Sequence, residues 1–190
     1  MSNIKNIYLL VGPSGSSKSS VAKWLTYKHG LYEVDSYTDR KPRFYGEKGH
    51  RFVDSSFFVD HWEELCAYTV FNGFQYGVLE QDIETAEVYV IDPPGLQYLK
   101  AHYHGKRKMR VIYLTAEEET LRDRMSQRSD SPEMIEQRII NDRYFFDLQR
   151  IGITDFDLII HTDRFTSRHV AQFVWNFIEM CEEEEINRYA

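Results

Sequence analysis

The stretch Ile7-Tyr8-Leu9-Leu10-Val11-Gly12-Pro13-Ser14-Gly15-Ser16-Ser17-Lys18-Ser19-Ser20 decides how this chain is read. Five apolar residues run into a glycine-bracketed loop and then into a segment where Val21, Ala22, Trp24 and Leu25 recur at helical spacing, with His29-Gly30 as its end. Strand, glycine loop and helix in that order make a cradle for the phosphates of a nucleoside triphosphate. Glycine permits a turn tight enough for successive N–H groups to converge on one anion, and the helix adds the positive end of its dipole. The expected lining is Gly12, Ser14, Gly15, Ser16, Ser17, Lys18, Ser19 and Ser20. In this reading Lys18 reaches the β- and γ-phosphates and the Ser19 hydroxyl holds Mg²⁺. Ser17 departs from G-x-x-x-x-G-K-[ST], because a Cβ there crowds the closest backbone approach. A surface Gly/Ser turn that happens to carry a lysine is the competing reading, and the flanking strand and helix weigh against it.

With 190 residues and 42% hydrophobic content, the chain can fill one substantial core. A net charge of -7 argues against a general nucleic-acid binder, so anionic ligands must meet local basic clusters. Cys66 and Cys181 are too few for a disulfide framework or a zinc site, which implies free thiols in a reducing cytosol. The apolar run at residues 7 to 11 is too short for a signal-peptide core, and no stretch is long enough to span a bilayer. A soluble cytoplasmic protein, monomer or homodimer, is the expectation.

Further along, Ser36 to Arg43 reads as a loop, since Pro42 biases Lys41 toward an extended backbone. Arg40 and Arg43 near Ser36 suit a second phosphate, because guanidinium forks bind phosphate oxygens in pairs. The plainer reading is a solvated basic loop. Ser55 to Leu65 reads as a helix, and Ala67 to Phe71 and Phe74 to Val78 as short strands around Asn72-Gly73. Val88 to Asp92 and Met109 to Leu114 suit buried parallel strands, and Asp157 to His161 a last short one. Asp92 stands at a strand's carboxyl end, where open α/β sheets bind ligands, although capping the next helix would account for it equally well. Helices are expected over Leu96 to His102, Glu117 to Met125, from near Glu133, and over Ser167 to Glu185. His102 and His104, two residues apart, do not share a helix face and are not a metal pair.

Gly12-Pro13-Ser14-Gly15 with Lys18, then Ser36 through Arg43, Gly46-Glu47 and Gln75-Tyr76-Gly77, resembles the guanylate kinase family over nearly the whole chain. The resemblance implies a three-layer α/β P-loop nucleoside-triphosphate-binding fold with a parallel core sheet (1–35, 88–125 and 139–190), an NMP-binding insertion (36–87) and a lid (126–138). It implies an ATP-dependent nucleoside monophosphate kinase acting on GMP or dGMP, with Mg²⁺. Ser36, Arg40, Arg43, His50, Tyr76 and Asp92 would hold the acceptor, Ser19 and Asp92 would serve the metal, and Lys18, Arg128 and Arg138 would stabilise charge on the transferring phosphoryl group. Arg124, Arg138 and Arg143 have rival partners in Glu133, Glu136 and Asp142 on a solvated helix.

The chain departs from the family where the base is read. His50 stands for a tyrosine and Val78 for a hydroxyl residue, while ungapped counting puts Ala67 near the place of the glutamate at the guanine edge and a small gap would restore Glu63 or Glu64 there. Two alternatives follow: the same reaction on another acceptor, such as a modified deoxynucleotide or a ribose bisphosphate, and a non-catalytic binding module of the guanylate-kinase-like kind. Retention of Lys18 and Ser19 speaks against the module.

Overall fold

The computed structural model describes residues 5–71, 73–128, 130–146 and 156–188. Asn72 of the expected turn, Ser129 of the expected lid and residues 147–155 of the expected core lie outside them.

Four strands form a fully parallel sheet in the order β6 (Val88–Val90), β1 (Asn6–Val11), β7 (Lys108–Thr115) and β8 (Leu158–His161). All six residues of β1 are buried, as a central parallel strand covered on both faces requires. On one face α1 (Lys18–His29) and α7 (Ser167–Arg188) pack Val21, Leu25, Val170 and Val174 against Tyr8, Leu10 and Ile112. α4 (Pro93–His102) covers the other, through Leu96 and Leu99 against Leu9, Val11 and Val111.

A second sheet, β3 (His50–Phe52), β2 (Ser36–Thr38), β5 (Phe74–Leu79) and β4 (Leu65–Phe71), stands beside the first. Its β5–β4 end shares the main core: Cys66, Ala67 and Val78 pack with Ile83 of α3 (Glu80–Thr85) among the residues beneath α4. The first three residues of the expected loop Ser36 to Arg43 form a short strand instead. Ser36–Thr38 pairs parallel with His50–Phe52, because each offers a donor and acceptor row that only a partner strand satisfies. The helix expected over Ser55 to Leu65 is cut short. α2 (Ser56–Asp60) gives way to a 3₁₀ turn, Trp62–Glu64, and Leu65 already starts β4, since pairing with β5 uses its backbone.

α5 (Glu118–Ser126) and α6 (Pro132–Phe145) complete the described chain, joined by Leu121, Met125, Ile135 and Ile139. α6 begins one residue before the expected Glu133, with Pro132 in its first turn and the Ser131 side chain accepting from Met134 N–H. Among the described residues, no helix is long and apolar enough to cross a membrane.

Candidate active site

The loop between β1 and α1 is fixed by contacts that only glycine tolerates. A Cβ on Gly12 (φ 154°) would sit 2.0 Å from the Leu114 carbonyl oxygen, and one on Gly15 (φ 82°) would sit 2.8 Å from that of Leu121. The loop is thus wedged between the end of β7 and α5. Ser17 occupies the left-handed region at φ 77°, the one non-glycine residue to do so among those described, and its side chain makes no capping bond to the helix. The backbone therefore keeps the turn of a glycine where the side chain is serine, at a cost of about 1–2 kcal/mol.

Lys18 folds over this loop. Its ammonium donates to the carbonyls of Gly12 (2.6 Å) and Pro13 (2.9 Å) and to Ser16 Oγ (3.4 Å). Burial pushes its pKa down to about 8, against the pull of Asp142 and Asp92, while Arg128 and Arg138 push the same way as burial. Four charged groups therefore converge on one ammonium. Ser19 and Ser20 follow in the first turn of α1, and the exposed Ser19 hydroxyl makes no hydrogen bond among the described residues, which suits a ligand for Mg²⁺.

Asp92 caps α4: one carboxylate oxygen accepts from Gly95 N–H (2.8 Å) and the other from the Thr69 hydroxyl (3.1 Å). Each oxygen makes one hydrogen bond and keeps a further lone pair, and the carboxylate adds negative charge near Lys18. Burial raises its pKa above the usual carboxylate value.

On the second sheet the structure brings Ser36, Arg40, His50 and Tyr76 together through strand register. Ser36 lies opposite His50 and Thr38 opposite Tyr76. The Ser36 hydroxyl lies 2.8 Å from His50 Nδ1, the His50 and Tyr76 rings meet edge to face at 5.6 Å, and Arg40 Nε donates to the Tyr76 hydroxyl (3.2 Å). Burial, helped by Arg40, lowers the His50 pKa and favours the neutral ring. Arg40 also forms a two-pronged pair with Glu47, at 3.0 and 2.9 Å, where both side chains are only 9% exposed. Glu47, held down to about 2 by Arg40, also accepts from Arg43 N–H at 2.7 Å. The Arg43 guanidinium stays exposed.

Around the segment expected to form a lid, Arg128 is exposed and Arg138 lies 3.5 Å from Asp130. The expected competition among surface pairs resolves differently. Glu136 pairs with Arg122, and Arg143 with Glu118. Arg124 binds the Thr162 hydroxyl (2.8 Å) and carbonyl (2.6 Å) and the Gly15 carbonyl (3.3 Å), tying the phosphate loop to the turn after β8. Asp142, read from sequence as a solvated partner, instead accepts from Ser14 N–H at 2.7 Å. Arg124, Glu47 and Asp142 were missed as site residues because their roles come from contacts between distant segments. His161 is exposed, while Thr162 is fully buried and Asp163 accepts from Glu117 N–H.

A glycine cradle at the carboxyl edge of a parallel sheet, faced by a second sheet carrying paired cationic and hydroxyl groups, defines a P-loop nucleoside monophosphate kinase fold. The chain is 31% identical over 182 residues to a guanylate kinase of Helicobacter pylori strain J99, covering 90% of this chain and 86% of that protein. A guanylate kinase of Porphyromonas gingivalis is 26% identical over 194 residues, covering 88% and 97%. Among solved structures, guanylate kinase from Anaplasma phagocytophilum matches with a TM-score of 0.59 at 19% identity, over 93% of this chain and 86% of that one, a likeness of fold. No family model matches the chain. The chain belongs to the guanylate kinase family.

Proposed function

We propose that this protein transfers the γ-phosphoryl group of ATP to the phosphate of GMP or dGMP. The observation that carries the reading is the Gly12–Ser20 cradle with Lys18 at its centre, linked through Asp92 and Thr69 to Tyr76 of the Ser36, Arg40, His50 and Tyr76 cluster, in a chain related to guanylate kinases. Two polyanions then meet across one cleft. Donor phosphates take the loop N–H groups and Lys18, and the acceptor phosphate takes Arg40, Arg43, Tyr76 and His50. Ser19 would hold the Mg²⁺ that accompanies ATP, which would supply charge neutralisation at the transferring group, and Arg128 and Arg138 would add donors to its equatorial oxygens. The attacking phosphate oxygen is already anionic, so no strong general base is required. The two buried thiols, Cys66 and Cys181, suit a reducing cytoplasm.

A different acceptor is the second reading, and one observation favours it: Ala67 and Val78 are 1% and 0% exposed within the main hydrophobic cluster, so neither offers a polar partner to a base edge. A panel of GMP, dGMP, AMP, CMP, UMP and dTMP assayed with Mg-ATP decides between them. We expect GMP or dGMP to lead the others by at least about a hundredfold in kcat/KM, the scale set by polar groups that recognise a base. Another leading monophosphate replaces the acceptor, and turnover with none returns the chain to a binding module.

A further inference from the structure

We propose that Asp142 governs how strongly the cradle engages its donor: the carboxylate on α6 holds a loop N–H that the donor phosphates also need, so binding must draw α6 away. The inference rests on the cradle reading. Asp142 Oδ2 accepts from Ser14 N–H at 2.7 Å, a short bond typical of an ionised acceptor. Ser14 lies in the middle of the loop, between Gly12 and Gly15, both at positive φ. A carboxylate and a phosphate oxygen make the same demand on that N–H, and both are negative, so they exclude one another. Lys18 stands within electrostatic reach of Asp142, and its ammonium donates to loop carbonyls rather than outward.

Geometry links this contact to the lid. Asp142 lies four residues after Arg138 on α6, so the two project from one helix face, and withdrawing Asp142 also moves Arg138. α6 is held to α5 by four apolar side chains and by the pairs Arg122–Glu136 and Arg143–Glu118, whose partners are between 34% and 64% exposed. Exposed pairs of this kind contribute little, so the buried contact of Leu121, Met125, Ile135 and Ile139 sets the cost of moving α6. Burial raises the Asp142 pKa while the Ser14 hydrogen bonds oppose the rise, as for a carboxylate set in a partly desolvated loop.

A simple staple that orders the loop would also place a carboxylate here, and the two roles predict opposite signs. Calorimetry with Mg-ATP, and separately with magnesium tripolyphosphate, on the full chain, Asp142→Asn and Asp142→Ala tests them. We expect Kd to fall several-fold in Asp142→Asn, which keeps an acceptor but loses the charge, and about tenfold or more in Asp142→Ala, for both ligands. Equal or weaker binding by the variants, with the wild-type chain still binding, overturns the assignment and leaves the cradle standing. No uptake by folded wild-type protein removes the cradle reading itself. Should Asp142→Ala not fold, the near-isosteric Asp142→Asn carries the test.

Discussion

The two anion sites proposed for this protein are built from different material. On the donor side, backbone does most of the holding: Gly12 and Gly15 are locked by the carbonyls of Leu114 and Leu121, and one side chain, Lys18, supplies the charge. On the acceptor side, side chains from β2, β3, β5 and the loop after β2 must find one another, as Arg40 does with Tyr76 and Glu47. A backbone site is insensitive to most substitutions and sensitive to the state of its one cation. A side-chain site behaves the other way round.

The largest expected effect lies on the acceptor side. Glu47→Ala leaves the Arg40 guanidinium without its partner in a nearly closed setting, and breaking such a pair costs about 3 kcal/mol. Thermal unfolding should occur well below the wild-type temperature and the acceptor KM should rise at least tenfold, while the Kd for Mg-ATP holds steady. Because Arg40 depresses the Glu47 pKa to about 2, the pair stabilises the fold fully above the ordinary glutamate value of 4.5 and is lost as pH falls toward 2. Parallel losses at both sites would erase the contrast between them.

Next comes the donor side, through pH. The cationic form of Lys18 is the one that meets phosphate, and its pKa in the free protein is about 8. kcat/KM for ATP should therefore be level below pH 8 and fall about tenfold per pH unit above it, because this ratio reports the free enzyme. An inflection two units higher would mean that burial does not weaken the ammonium.

Smallest is Ser17→Gly. Relieving the left-handed serine gains about 1–2 kcal/mol, and the added freedom of the unfolded chain returns about 0.5–1 of it. Differential scanning calorimetry should show a rise of about 2 °C. A fall would mean that the Ser17 side chain supports the loop in a way its bonding does not reveal.

The same contrast governs what could be read in the sequence. The cradle was legible because its parts are consecutive: an apolar run, two glycines and a lysine state their geometry locally. The strands of the main sheet were legible too, since β1, β6 and β7 are nearly continuous apolar runs. β2 and β3 were not, because three residues each, Ser36–Thr38 and His50–Phe52, carry no periodic signal and exist only through pairing. Asp142 looked like one more helix-surface acid, as its contact with Ser14 spans 128 positions. The Ser55 to Leu65 helix failed for a related reason: long-range pairing of Leu65 with Leu79 overrode a locally helical pattern.

That Cys66, Ala67 and Val78 belong to the main apolar cluster has a mechanical consequence. The inner half of the second sheet is welded to its neighbour, and swinging the whole of it as a rigid flap would expose packed methyl and thiol groups to water. Any movement that closes on an incoming monophosphate would therefore come from the outer margin, β3 and the 41–49 turn, where Phe44 and Tyr45 are already solvent-facing and little has to be torn apart.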